Sequence, residues 1–166
     1  MAAPEIRESE VERLLGAKKF IHRTTFDRSS GMGEGSTIEV EYDIRRKDSP
    51  TLDLKLRLWA RQKSPKAVKP SPRPGVALYW RGKRIRGIDW KLKEDVRKDG
   101  FVTGEVVRHW HEHRWTDLDE DRVIANANKI VKQEDFWSVV RTCLKRWNIE
   151  DTVTPVRSTR LFGGKP

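Results

Sequence analysis

The strongest pattern in the chain is a strict alternation of apolar and charged residues in two neighbouring stretches. Over 38–46, Ile38, Val40, Tyr42 and Ile44 alternate with Glu39, Glu41, Asp43 and Arg45. Over 52–60, Leu52, Leu54, Leu56 and Leu58 alternate with Asp53, Lys55, Arg57 and Trp59. A period of two puts one set on each face of a strand, so both stretches read as strands of a half-buried antiparallel sheet. Asp48-Ser49-Pro50 supplies the turn between them. Upstream, 18–26 (KKFIHRTTF) reads as another strand. Residues 4–15 read as a short helix with Val11, Leu14 and Leu15 on one face, ended by Gly16. Downstream, 76–80 (VALYW) and 84–90 (RIRGIDW) predict a hairpin with Gly82-Lys83 at its tip, and 101–115 predicts the last long strand.

The period then lengthens to that of a helix. Asp117-Leu118-Asp119-Glu120 has the pattern of a capping box, and Val123, Ile124, Ala127, Ile130 and Val131 follow on one helical face. Residues 134–148 predict a second helix, with Phe136, Val139, Val140, Cys143, Leu144 and Trp147 on one side. Strands first and helices afterward indicate an α+β fold: a single antiparallel sheet of about five to six strands, a short N-terminal helix, and two C-terminal helices packed on one face. Residues 1–150 read as one domain. The segment 62–74 (QKSPKAVKPSPRP) holds four prolines and four basic residues and reads as a long loop inside that domain, because the sheet pattern resumes at Gly75. The glycine-rich 29–36 lacks the Lys and Ser/Thr spacing of a phosphate-binding P-loop and reads as a hairpin connection. Residues 151–166 read as a flexible tail.

Composition narrows the class. Hydrophobic and charged residues each make up 36% of the 166 residues; the charged share is well above the usual ~25%. Seven Trp and five Phe argue against a disordered chain. No apolar run approaches the ~18 residues of a membrane span. The first residues lack the basic start and apolar stretch of a secretory signal, and the single cysteine, Cys143, has no internal partner for a disulfide. These features point to a cytoplasmic protein without a membrane partner.

The formal net charge is +10, and most of it sits in one block: 61–100 carries thirteen Lys/Arg against four acids. A focused positive field attracts a polyanion far better than the same charge scattered. RNA or another nucleic acid is the leading partner, and an acidic protein suits the same block.

Three of the four histidines fall within five residues, His109, His111 and His113, in EVVRHWHEHRW. On a strand their alternate positions share a face with Cα atoms ~6.8 Å apart, while Arg108, Trp110, Glu112 and Arg114 face the other way. Three readings compete. One is acid–base chemistry: RNA cleavage needs one group to take the 2′-hydroxyl proton and one to protonate the leaving oxygen, and imidazole does either near neutral pH. Asp89 then orients an imidazole. Lys83, Arg84, Arg86 and Arg114 hold phosphate and stabilise its developing charge. No cofactor is needed. The second reading is a metal site, with His109 and His111 as half of a ligand set and His113, Asp89 or Asp117 as the third ligand. In the third, the histidines are ordinary polar residues on the outer face, and Asp89 forms an ordinary ion pair. Trp59, Trp80, Trp90 and Trp115 are candidates for base stacking, though strand aromatics are more often core residues.

The second half, 76–145, also resembles a known family. Its features are the strand VALYW, the turn Gly82-Lys83-Arg84, Asp89 at the end of the return strand, a Gly-containing connection, the His-x-His strand and an amphipathic helix, in that order. In these it resembles the small TumE-type toxins of bacterial toxin–antitoxin modules. The resemblance implies a compact α+β toxin acting on RNA and neutralised by an antitoxin, with Lys83, Arg84, Asp89, His109 and His111 as the residues carried over. The leading expectation is therefore a metal-independent ribonuclease-like protein. The alternatives are a non-catalytic phage or mobile-element protein that binds nucleic acid or a host enzyme, and a small metalloprotein.

Overall fold

A computed structural model describes residues 5–28, 37–61, 74–91, 109–117, 122–126 and 136–150. The expected loops at 29–36 and 62–73 and the tail at 151–166 lie outside these residues. In chain order the elements are α1 (Glu8–Gly16), β1 (Lys19–Asp27), β2 (Thr37–Arg46), β3 (Ser49–Arg61), β4 (Gly75–Trp80), β5 (Lys83–Lys91), β6 (His109–Arg114), β7 (Arg122–Asn126), α2 (Phe136–Arg146) and β8 (Ile149–Glu150). The strands form one sheet in the order β7-β6-β5-β4-β3-β2-β1-β8, a half-barrel. All neighbours are antiparallel except β1 and β8, which run parallel.

This corrects the expected α+β fold of five to six antiparallel strands with three helices. The described protein is mostly mixed sheet with two helices, and two local causes account for the difference. Within the first predicted C-terminal helix, Arg122–Asn126 form β7, which pairs with β6, and the rest of that helix lies outside the described residues. Val123 and Ile124 satisfy a helical period, but adjacent β-branched residues fit a strand at least as well. The supposed capping residue serves another helix: Asp117 Oδ1 accepts the Glu8 amide at 2.7 Å, at the start of α1. The second cause is β8, whose two residues are too few to show a period.

The alternation in β2 and β3 appears as burial. Val40, Tyr42, Ile44, Leu54, Leu56, Leu58 and Ala60 are all buried, on the face covered by the helices. They join Val11, Leu14 and Leu15 of α1 and Val139, Val140, Cys143 and Leu144 of α2 in one core. Each fully buried aliphatic side chain contributes about 1.5–3 kcal/mol. The predicted apolar face of α2 is this buried face.

A buried lysine closes α1. Lys19, 1% exposed, donates through Nζ to the Leu14 and Leu15 carbonyls at 2.7 and 3.1 Å, and also to Ala17 O. The Ala17 amide takes Arg13 O, and Asn148 Nδ2 takes Gly16 O at 2.8 Å. The four terminal carbonyls of the helix are thereby satisfied. Burial, reinforced by the Arg46 guanidinium, pushes the Lys19 ammonium down to about 8. Asn148 takes φ +54° after α2, a left-handed conformation that asparagine tolerates. Its carbonyl accepts the Lys19 amide at 2.9 Å, where β8 joins β1.

The β4–β5 hairpin turns at Arg81-Gly82, one residue before the expected tip. Both residues have positive φ, 51° and 76°, as a tight two-residue hairpin turn requires.

Candidate nucleic-acid interface

The ladder between β5 and β6 sets the geometry. Lys91, Asp89 and Gly87 stand opposite His109, His111 and His113. The three histidine positions therefore share the face of the sheet turned away from the helices. The side chain of His109 lies outside the described residues.

His113 is brought against two of the other expected site residues. Its Nε2 lies 3.1 Å from Asp89 Oδ2, and its Nδ1 lies 3.2 Å from Arg84 Nη2. Arg84 Nη1 is 3.9 Å from the same aspartate oxygen. A guanidinium only donates, so Nδ1 accepts, and the proton of the neutral ring sits on Nε2 toward Asp89. Carboxylate and arginine together fix the tautomer and the ring plane. His113 is only 4% exposed, so its contacts with Asp89 and Arg84 lie beneath the surface. His111, facing Asp89 across the ladder, is half-buried. Lys83 is exposed at the end of the hairpin.

Arg86 and Arg114 do not join them. They pair with each other across the ladder on the helix-covered face. Arg114 follows the alternation, but Arg86 departs from it for a local reason. Tyr79 pairs with Arg84 and Leu78 with Arg86, so one step on β4 opposes two on β5. The extra residue is Ile85, fully buried, whose carbonyl accepts the Trp115 amide at 3.1 Å. A β-bulge of this kind reverses the facing of the residues beyond it. Arg84 and Arg86, two apart in sequence, consequently point to opposite sides.

The open face continues from Arg84 onto Tyr79, Arg57 and Trp59, which the registers place in one band across β5, β4 and β3. Arg57 lies over the Tyr79 ring, 5.7 Å from its centre. Trp59 lies across Gly75, where a Cβ would come within 2.2 Å of the indole, so only glycine fits beneath it. Trp59 and Tyr79 are both half-buried. Of the other tryptophans proposed for stacking, Trp80 and Trp115 are core residues, the latter donating Nε1 to Ile6 O at 3.1 Å. The Trp90 side chain lies outside the described residues. Sequence reasoning did not single out Arg57 or Tyr79, although both stood at outward positions of recognised strands.

Farther along the open face, charge is balanced. Asp43 accepts from Lys55 and Arg23, and Glu41 pairs with Arg57 at 3.3 Å. Burial pulls the Asp43 carboxyl up, but the hydrogen bonds from Lys55 and Arg23 outweigh it and hold the group below its ordinary value. Among the described residues, no three His, Cys, Asp or Glu side chains come together as a metal-ligand set. No described helix is long and apolar enough to cross a membrane.

No family model, curated protein or solved structure matches the chain. The likeness to TumE-type toxins therefore rests on the residues quoted for it alone.

Proposed function

We propose that the protein binds nucleic acid across the face of its sheet turned away from the helices. The observation that carries this reading is the band of Trp59, Tyr79, Arg57 and Arg84 beside His111. Aromatic rings give bases a surface to stack on whatever their sequence. Guanidiniums supply charge for the backbone and planar contacts for bases. β5 lies within the basic block 61–100 and adds Lys83 and Arg84 to this region. An acidic protein, an antitoxin among them, would compete for this surface through the same charges.

Fluorescence anisotropy with labelled single-stranded RNA tests the proposal. Tyr79→Ala should weaken binding about tenfold, from a stacking contribution of about 1–3 kcal/mol per base. Affinity should also fall steeply with added salt. Equal affinity for the wild type and a Tyr79→Ala/Arg84→Ala double variant would end the proposal.

RNA cleavage at this face is a second reading, favoured by the contact of Asp89 with His113. His111 is half-buried against 4% exposure for His113, so it is the described imidazole closer to solvent. In this reading His111→Ala abolishes cleavage while RNA binding persists. Cleavage that survives replacement of all three histidines would leave binding as the function.

A further inference from the structure

On the helix-covered side of β5 and β6 the apolar pattern breaks. Arg86 is 5% exposed and stands directly across from Arg114. Like charges opposite one another in a ladder repel, and a guanidinium removed from water requires anionic or hydrogen-bonding partners. Arg86 has one such partner, Glu12 of α1, which accepts from Nη2. Its Nη1 is buried with no hydrogen-bond partner among the described residues, and so is Nε of Arg114. Glu112 is 3% exposed, with Oε1 3.7 Å from Arg114 Nε and 3.9 Å from Arg146 Nη2. Both separations exceed a hydrogen bond. The carboxylate moderates the charge of the two guanidiniums without occupying those donors.

These groups line a cavity of about 330 Å³, with Leu15 and Trp147 among its walls. That volume falls within the range of small-molecule sites, about 300–1,000 Å³. Three guanidiniums against two carboxylates leave positive charge in excess. The helix carbonyls that might have balanced it are already taken: Leu14 and Leu15 bond Lys19, and Gly16 bonds Asn148. Burial, opposed by Glu12 and reinforced by Arg114, pulls the Arg86 guanidinium below its ordinary value.

We infer that this cavity is a phosphate-binding site in which Arg86, Arg114 and Arg146 hold one phosphoryl group. A phosphoryl group presents several acceptor oxygens at once and accepts guanidinium forks in pairs. It would satisfy the orphaned donors of Arg86 and Arg114 and separate their charges. The site lies on the face opposite the proposed nucleic-acid interface and does not rest on that reading. Its ligand is a phosphate monoester or inorganic phosphate, free or at the end of a nucleic acid.

Calorimetric titration of the full chain with inorganic phosphate at low ionic strength tests the inference. Saturable binding is expected. Arg146→Ala alters a side chain that is 41% exposed, so the fold should persist while affinity drops about tenfold or more, the loss of a charge-assisted bond. Arg86→Met should remove binding. Glu112→Gln should tighten it several-fold by removing a competing anion. Lys18→Ala, an exposed cation outside the cavity lining, should leave it unchanged. A second arm compares 5′-phosphorylated with 5′-hydroxyl oligonucleotides. A preference lost in Arg146→Ala identifies a nucleic-acid end as the source, and phosphate binding without preference identifies a free phosphate. Absence of saturable phosphate binding by the wild type, or equal affinities in Arg146→Ala and Lys18→Ala, would overturn the site.

Discussion

On β2, β3 and β4 the helix-covered face holds Val40, Tyr42, Ile44, Leu54, Leu56, Leu58, Val76 and Leu78, all buried and all without charge. On β5 and β6 the same face holds Arg86 and Glu112, which are just as deeply buried. The outer faces differ as well. Over β2 and β3 they are covered by mutually satisfied pairs such as Asp43 with Lys55 and Arg23. Over β5 and β6 they carry the Arg84, Asp89 and His113 contacts. The first region follows the division of apolar from polar that builds a stable sheet. The second places polar groups on both faces, at a cost in desolvation that stability alone does not explain. Departures of this kind mark the places where a fold has been given work to do.

The contrast can be broken most forcefully in the first region. Leu56 is fully buried, and Leu56→Ala should destabilise the protein by about 2–5 kcal/mol in urea unfolding. A loss well below that range would mean that the apolar region is not the source of stability. Lys19, on the neighbouring β1, tests an exception beside this region, a charge that is structural. Lys19→Met leaves the Leu14 and Leu15 carbonyls without their donor and should cost about 2 kcal/mol. Its pH dependence has a definite sign. Burial holds Lys19 at about 8 when folded, against an ordinary value of 10.5. Between those values the unfolded chain binds more protons, so this group makes stability rise with pH. The wild type should show that rise relative to Lys19→Met, and parallel stability profiles across the window would refute it.

The smallest effect belongs to the second region. Glu12, the partner of Arg86, has a side chain that is 59% exposed, so its carboxylate stays solvated when the arginine is removed, and Glu112 keeps Arg114 and Arg146 nearby. Arg86→Met, similar in volume and apolar, should change stability by less than about 1 kcal/mol. A loss as large as that of Leu56→Ala would make Arg86 a structural residue and erase the contrast.

The two regions were unequally legible. In β2 and β3 every second residue is apolar, burial follows from that period, and no bulge interrupts Val40–Ile44 against Leu54–Leu58. The apolar face of α2 was legible for the same reason. The shared facing of the three histidine positions also followed from alternation. What could not be read depended on contacts between distant segments. Asp117 appeared to cap a helix of its own, yet it caps α1 across the fold. The bulge at Ile85 leaves no mark in sequence, yet it parts Arg84 from Arg86. Glu112, a charge beside Trp110 on the inward face, was the one visible sign of the cavity, but its neighbours Glu12 and Arg146 come from the two helices.

Local periodicity determined which residues face inward along β2, β3 and α2, because burial of alternate or helically spaced apolar groups is settled within a few residues. It also determined the basic block and the row of histidine positions. Only the tertiary structure decided that a stretch compatible with helix pairs as β7, that Arg84 and His113 meet Asp89, and that Arg86 and Arg114 of the sheet meet Arg146 of α2 around one cavity. Those outcomes depend on strand register and on free energy shared between segments far apart in the chain, and neither is written in any local pattern.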